Sequence, residues 1–191
     1  MAIILTEPQM QFERPRMCRA AGTLATVTGL TAIEHEGGAT DRSTLFLFKN
    51  VAITVTDNGA TGSKGTKLYD FPKGLLDIAG ALCNITYGYT TATDGAMVSG
   101  VGTAAAGADG ALTTTEQDII PSTATAIATS AGTFVGKSSA TARLALFDGT
   151  SAAKALYYNV ATTNDPGAGA ILTVNGWLVV HWQNLGDNTI A

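Results

Sequence analysis

Apolar residues recur with a period of two along most of this chain, and this pattern constrains the fold more than any other feature of the sequence. In the clearest run, Val51, Ile53 and Val55 alternate with alanine and threonine, as expected for a strand with one buried face. A turn-favouring Asp57-Asn58-Gly59 follows directly. Helical spacing of apolar residues is scarce by comparison. The pattern predicts a chain that is almost entirely β.

Eight or more such runs, separated by turns rich in glycine and aspartate, are expected to form strands. They lie at 24–31, 44–56, 68–71, 82–89, 97–101, 123–129, 144–147, 155–160 and 171–185. Many short strands at regular spacing are typical of antiparallel sandwiches and jelly rolls. The sequence therefore predicts an all-β fold, an antiparallel β-sandwich with a jelly-roll-like arrangement, over residues 23–191.

Four segments carry weaker or competing signals. Residues 61–66 are rich in glycine, serine and lysine and are expected to form a loop, and residues 72–82 could hold a short helix. Residues 115–118 could begin a single helical turn. Asn175-Gly176 lies between two apolar runs, which fits a hairpin turn, although a glycine bulge within one long strand fits as well.

Residues 1–22 differ in composition from the rest of the chain. They contain Pro8, Pro15 and most of the arginines, and they show no sustained apolar period. Because proline favours extended conformations in the residue before it, we expect an extended N-terminal arm. A first edge strand with a frayed start fits this composition equally well.

Charged residues make up only 14% of the chain, and the net charge is −4, whereas a typical soluble domain carries about 25% charged residues. The cores of protein interfaces are depleted of lysine, glutamate and aspartate, so a β chain of this composition is expected to lie against other protein. Its net charge gives no attraction to nucleic acid or anionic lipid. No apolar stretch approaches the ~20 residues of a membrane-spanning helix. The predicted partners are therefore proteins, with no nucleic acid and no membrane.

The motifs that would carry chemistry are incomplete. Residues 132–138 resemble a phosphate-binding loop, but three residues separate the glycines where that motif has four. Residues 100–105 fit a loose dinucleotide fingerprint, but the glycines that follow would break the required helix, so a loop is expected. His35 is predicted in a solvated loop and His181 on a half-buried strand face, with no second ligand near either. We predict that the protein is not an enzyme and uses no cofactor and no metal.

Cysteine and aromatic residues leave further possibilities open. Cys18 and Cys83 could form a disulfide, although Cys83 lies in an apolar run where a buried free thiol is common. The first residues lack a basic region before a short apolar run, so we expect no secretory signal and folding in a cytoplasm. Six aromatic residues could build a carbohydrate platform, but most occupy positions expected to face the core: Tyr87, Tyr89, Tyr157, Tyr158, Trp177 and Trp182.

Three segments of the C-terminal part resemble a known family. They read GALTTTEQDIIPS at 110–122, LFDGT at 146–150 followed by ALYYNV at 155–160, and LTVNGWLVVHWQNLGD at 172–187. Their order is similar to that in small structural proteins of tailed bacteriophages, the capsid decoration or cement proteins. The resemblance begins at residue 110, and the first half of the chain matches in type only.

This resemblance implies a β-sandwich that binds the outside of a phage capsid and bridges neighbouring subunits of the major capsid protein. It also implies a homo-oligomer, a dimer or trimer, in a virion that is assembled in the host cytoplasm. Within that setting Phe12, Arg14, Arg16 and Arg19 of the N-terminal arm are candidate capsid contacts. A head-fibre or tail component is the first alternative, and a carbohydrate-binding β-sandwich module is the second.

Overall fold

A computed structural model describes residues 21–37, 41–57, 59–89, 96–107, 110–126, 131–138, 146–163 and 170–186. Within these ranges the chain forms twelve strands and one short 3-10 helix, Thr114–Glu116. The strands are β1 Thr23–Leu24, β2 Leu30–Gly37, β3 Asp41–Thr54, β4 Thr56–Asp57, β5 Gly62–Asp70, β6 Gly74–Tyr89, β7 Ala96–Gly102, β8 Ile120–Ala126, β9 Ala131–Lys137, β10 Leu146–Gly149, β11 Ala155–Thr162 and β12 Ile171–Asn184.

The strands form two antiparallel sheets that pack face to face. The first sheet has the order β1-β5-β11-β7-β8, and β4 pairs with β5 as well. The second sheet has the order β10-β6-β12-β3-β2. Its strand β6 is long enough to pair with β10 along 74–77 and with β9 along 82–88. The predicted all-β antiparallel sandwich is confirmed.

The core between the sheets is filled by alternate residues of each strand. In β6, Cys83, Ile85 and Tyr87 are buried, while the residues between them are exposed, as the period of two predicts. Aromatic rings pack edge to face at one end of the core, where Phe71 lies 5.3 Å from both Tyr69 and Trp182. These contacts join the first sheet to the second.

A charged cluster joins the sheets beside this aromatic end. Arg42 on β3 pairs with Glu34 at 3.2 Å and with Glu36 at 2.7 Å, and its guanidinium lies 5.6 Å from the centre of the Trp182 ring. Tyr69 of the first sheet donates a hydrogen bond to Glu34. Glu34 and Glu36 both lie on strand β2. The prediction of a loop around His35 is wrong, because the pairing of β2 with β3 extends through this residue.

Three other local predictions are settled by long-range pairing. Residues 61–66 were expected to be a loop, but β5 begins at Gly62 because it is paired with β11 on one side and β4 on the other. Residues 74–82 form the start of β6 and not a helix, since Gly74, Leu76, Ile78 and Ala81 are buried there as in a strand. Residues 24–31 were expected to be one strand, but only β1 and the first residues of β2 occupy this range.

The Asn175-Gly176 pair lies within one continuous strand and does not form a hairpin. Strand β12 pairs with β3 and β6 along its whole length, and its register against β3 shifts between Val174 and Gly176. Gly176 has φ of 125°, and a Cβ there would lie 2.2 Å from the carbonyl oxygen of Asn84. Only glycine fits this bulge. The single helical turn expected at 115–118 is confirmed as the 3-10 helix.

Candidate protein-docking face on the second sheet

The centre of the outer face of the first sheet, around Asn159, is covered by the chain itself. We call residues 103–107 and 110–119, which follow β7, the covering segment. Asn159 lies beneath it on β11 and is completely buried. Its side-chain oxygen accepts a hydrogen bond from the amide of Ala106 at 2.9 Å, and its side-chain nitrogen donates to the carbonyls of Ala104 at 2.9 Å and Glu116 at 2.6 Å. One side chain thus fastens the covering segment at three points.

Two acidic side chains complete this attachment. Glu116 is buried and accepts hydrogen bonds from the amides of Gly107 at 3.0 Å and Thr113 at 2.6 Å. Asp118 accepts from the amide of Thr103 at 2.8 Å and from its hydroxyl at 2.6 Å. Burial raises the pKa of Asp118, although both bonds from Thr103 oppose that rise. The carboxylates therefore satisfy backbone groups of the covering segment.

Small residues of the sheet let the covering segment lie close to it. Gly65 and Gly100 flank Asn159 on the neighbouring strands. A Cβ at Gly65 would lie 2.5 Å from the Cα of Ala105, so a larger residue would lift the segment away. The part of this outer face around Asn159 is therefore an internal contact.

The outer face of the second sheet, in contrast, exposes apolar side chains. Two adjacent rows cross five strands, from β2 through β3, β12 and β6 to β9. Hydrogen-bonded neighbours in the first row are Thr31, Leu47, Trp177, Asn84 and Val135, and those in the second are Ile33, Leu45, Val179, Leu82 and Lys137. We call the seven apolar members the apolar band: Ile33, Leu45, Leu47, Leu82, Val135, Trp177 and Val179. Of the ten residues in the two rows only Lys137 is charged.

Five members of the apolar band are substantially exposed. The exposed fractions are 64% for Val135, 52% for Ile33, 46% for Leu82, 38% for Trp177 and 37% for Leu47. Leu82 separates two shallow depressions of about 390 and 370 Å³. One is lined by Trp177 and Val135, and the other by Gly80 and His181. The surface therefore has both apolar area and the relief that a partner can fill.

Polar groups frame the apolar band at both ends of the strands. His181 is exposed rather than half-buried as predicted, and its Nδ1 lies 2.7 Å from the hydroxyl of Ser43. Asp41 lies on β3 beyond Ser43 at this end, and Lys49 lies on the same strand at the other end. Both are exposed. The frame therefore carries opposite charges at its two ends.

The other sites weighed from the sequence are placed as follows. Residues 132–137, within the phosphate-loop-like stretch, belong to strand β9, and Gly100 and Gly102 belong to strand β7, so the loop expected there begins only at Thr103. Cys83 is a buried free thiol whose pKa burial raises to about 12, while Cys18 lies outside the described residues. The described parts of the chain hold no group of three or more potential metal ligands.

The aromatic residues considered as a carbohydrate platform are divided between core and surface. Tyr87, Tyr158 and Trp182 are buried. Trp177 is exposed on the second sheet, while Tyr157 is half-buried on the first. The side chain of Tyr89 is outside the described ones. The candidate arm residues Phe12, Arg14, Arg16 and Arg19 also lie outside the described residues.

The sequence did not identify the apolar band as a surface. Leu45 and Leu47 alternate with the buried Phe46 and Phe48, so apolar residues occupy both faces of β3. Trp177 is one of the six aromatic residues of which most were expected to face the core. The one sequence pattern that could have identified the surface is the presence of apolar residues on both faces of β3. The same pattern also fits a strand that is buried on both sides.

In the part of the chain that the structure describes, no helix is both long and apolar enough to cross a membrane. Comparison with known proteins gives no relative: no protein-family model, no curated protein and no solved structure matches this chain.

Proposed function

We propose that this protein is a virion structural protein that binds the outside of a phage capsid and bridges neighbouring subunits of the major capsid protein. The apolar band is the single observation that carries its role in assembly with other protein, and attachment to the shell is assigned to the N-terminal arm. Monomeric soluble proteins rarely expose large contiguous apolar patches, and such patches mark interaction sites. The band belongs to a chain with only 14% charged residues, a composition suited to assembly with other protein. The resemblance of the C-terminal segments to capsid decoration proteins is the reason for proposing a phage capsid as the assembly.

The structural role would be performed by interface burial alone. A specific contact of standard size buries about 1,600 Å², and many copies on one shell would add many such contacts. The two sheets provide a rigid body for this task, because their core and the covering segment are closed by packing and hydrogen bonds. Each copy would then resist the separation of the capsid subunits that it touches.

The N-terminal arm would supply the contact with the shell. The amide of Gly22 donates to the hydroxyl of Tyr69 at 2.8 Å, so the chain enters the sandwich beside the Arg42 cluster. The twenty residues before Ala21 span at most about 70 Å when fully extended. This length is enough to cross a subunit boundary, where a strand edge can pair with the arm. Phe12 would be its apolar anchor, and Arg14, Arg16 and Arg19 would meet acidic groups of the shell.

Co-sedimentation with capsids tests this function. We expect the full chain to bind saturably to capsids of the phage that encodes it, and added salt to weaken binding because the arginine contacts are screened. Deletion of residues 1–19 should weaken binding while leaving the melting temperature nearly unchanged. A matched control replaces Lys64 by glutamate, because this exposed residue of β5 lies six residues from Asp70, which pairs with Thr23 where the arm enters the sandwich; this variant should leave binding intact.

Two results would count against the proposal. If the full chain does not sediment with capsids, the protein is not a decoration protein. If the deletion lowers the melting temperature strongly, residues 1–19 are part of the sandwich and not a capsid-binding arm. Binding to tails or fibres but not to capsids would favour the alternative position within the same virion.

A further inference from the structure

We propose that the apolar band is the surface through which two copies of this chain associate face to face. The inference deepens the proposed function, because it names the occupant of the band and leaves attachment to the shell to the arm. It can be tested without any capsid, so the two proposals fail separately.

The first argument is area. The band and its polar frame cross five strands spaced about 4.8 Å apart and extend from Asp41 to Lys49, eight residues at about 3.4 Å each. This outline measures roughly 24 by 27 Å, or about 650 Å² before side-chain relief is added. A stable interface buries about 800 Å² on each partner. With side-chain relief added, the accessible area of the face approaches what a standard dimer buries on each partner, without any contribution from the first sheet.

The second argument is charge complementarity. Leu45 is the midpoint of the outer face of β3, with Asp41 four residues before it and Lys49 four residues after it. A two-fold axis in the plane of the interface, crossing the strands at Leu45, reverses the direction of the second copy. Lys49 of each copy then lies opposite Asp41 of the other. The same residue pair is thus used twice, as the symmetry of a two-fold dimer requires.

The third argument is the fit of apolar groups under the same axis. The row that contains Leu45 would meet its own counterparts, Ile33, Leu45, Val179, Leu82 and Lys137. The two Lys137 side chains would therefore face each other at the β9 edge of the interface, outside the apolar contacts. Trp177 would lie over His181 of the second copy, beside the 370 Å³ depression that Gly80 leaves open. Tryptophan is enriched among the residues that dominate binding energy at interface centres. The two faces would pack as sheets about 10 Å apart.

Sedimentation equilibrium of the purified full chain tests this inference. We expect a concentration-dependent dimer. Leu47→Asp should raise the dissociation constant of the dimer by about 30-fold or more, because a charge would be buried at the centre of the face. The matched control is Leu24→Asp, since Leu24 lies on the first sheet and is as exposed as Leu47. This control should dimerise like the original chain.

Exchange of the charges at positions 41 and 49 tests the proposed alignment of the two copies and does not depend on an apolar substitution. Lys49→Asp and Asp41→Lys should each weaken dimerisation, and the double variant should restore it. A monomer at every concentration, equal effects of Leu47→Asp and Leu24→Asp, or no restoration in the double variant would overturn the inference. A dimer that behaves as expected but does not bind capsids would overturn only the proposed function.

Discussion

Replacement of Asn159 by alanine should loosen the covering segment and lower the stability of the whole sandwich. The substitution removes three hydrogen bonds and leaves the amide of Ala106 and the carbonyls of Ala104 and Glu116 without this partner. Each bond contributes about 1 kcal/mol net, so the expected loss in the free energy of unfolding is about 3 kcal/mol. For a chain of this size that corresponds to a fall in melting temperature of roughly 6–12 °C.

The assay is chemical denaturation together with hydrogen exchange at the Ala106 amide. The control is Asn84→Ala, which removes the same amide from an exposed position on β6 and should change stability by no more than about 0.5 kcal/mol. We expect faster exchange at Ala106 only in the Asn159 variant. If both variants lose less than about 1 kcal/mol, or if exchange at Ala106 is unchanged, Asn159 does not fasten the covering segment.

Three further outcomes follow from individual residues. Gly176→Ala should destabilise the protein by at least about 2 kcal/mol in thermal unfolding because of the positive φ and the close carbonyl. Gly80→Ala should change stability little, because a Cβ there would make only an ordinary contact, 3.6 Å from the Ser138 hydroxyl oxygen; equal losses in the two variants would contradict the bulge. In a Cys18→Ser background, Cys83 should resist alkylation until the protein unfolds, since burial raises the pKa of its thiol, and rapid labelling of the native protein would contradict its burial. Asp118 should titrate above 3.8 by NMR, and its contribution to stability should fall as the pH rises through that raised pKa, because the folded state retains the proton longer; a midpoint at or below 3.8 would contradict this.

The features predictable from the sequence are those that a local pattern determines. The alternation at 44–56 identified β3, and the alternation at 82–89 identified the buried face of β6, because one strand's period is visible in a few residues. The polar start of β5 carries no such signal. It becomes a strand because β11 and β4 pair with it, and the pairing with β11 joins residues about a hundred positions apart.

The candidate docking face could not be predicted for a related reason. Leu47 and Trp177 are neighbours only in the folded sheet, where β3 pairs with β12. An apolar residue at an outward strand position looks the same in sequence as one that faces a second layer. The difference arises because the covering segment lies over the first sheet, held by Asn159, and leaves the second sheet bare. The shortage of charge predicts contacts with other protein but does not indicate which face makes them.

Cryo-EM of purified phage particles from cells that produce this protein tests the proposed function most directly. We predict density for a β-sandwich on the outer surface of the capsid, positioned to bridge neighbouring capsid subunits, with the N-terminal arm crossing from one subunit to the next. Density confined to the tail or to a fibre, or particles that lack the protein altogether, would contradict the proposal.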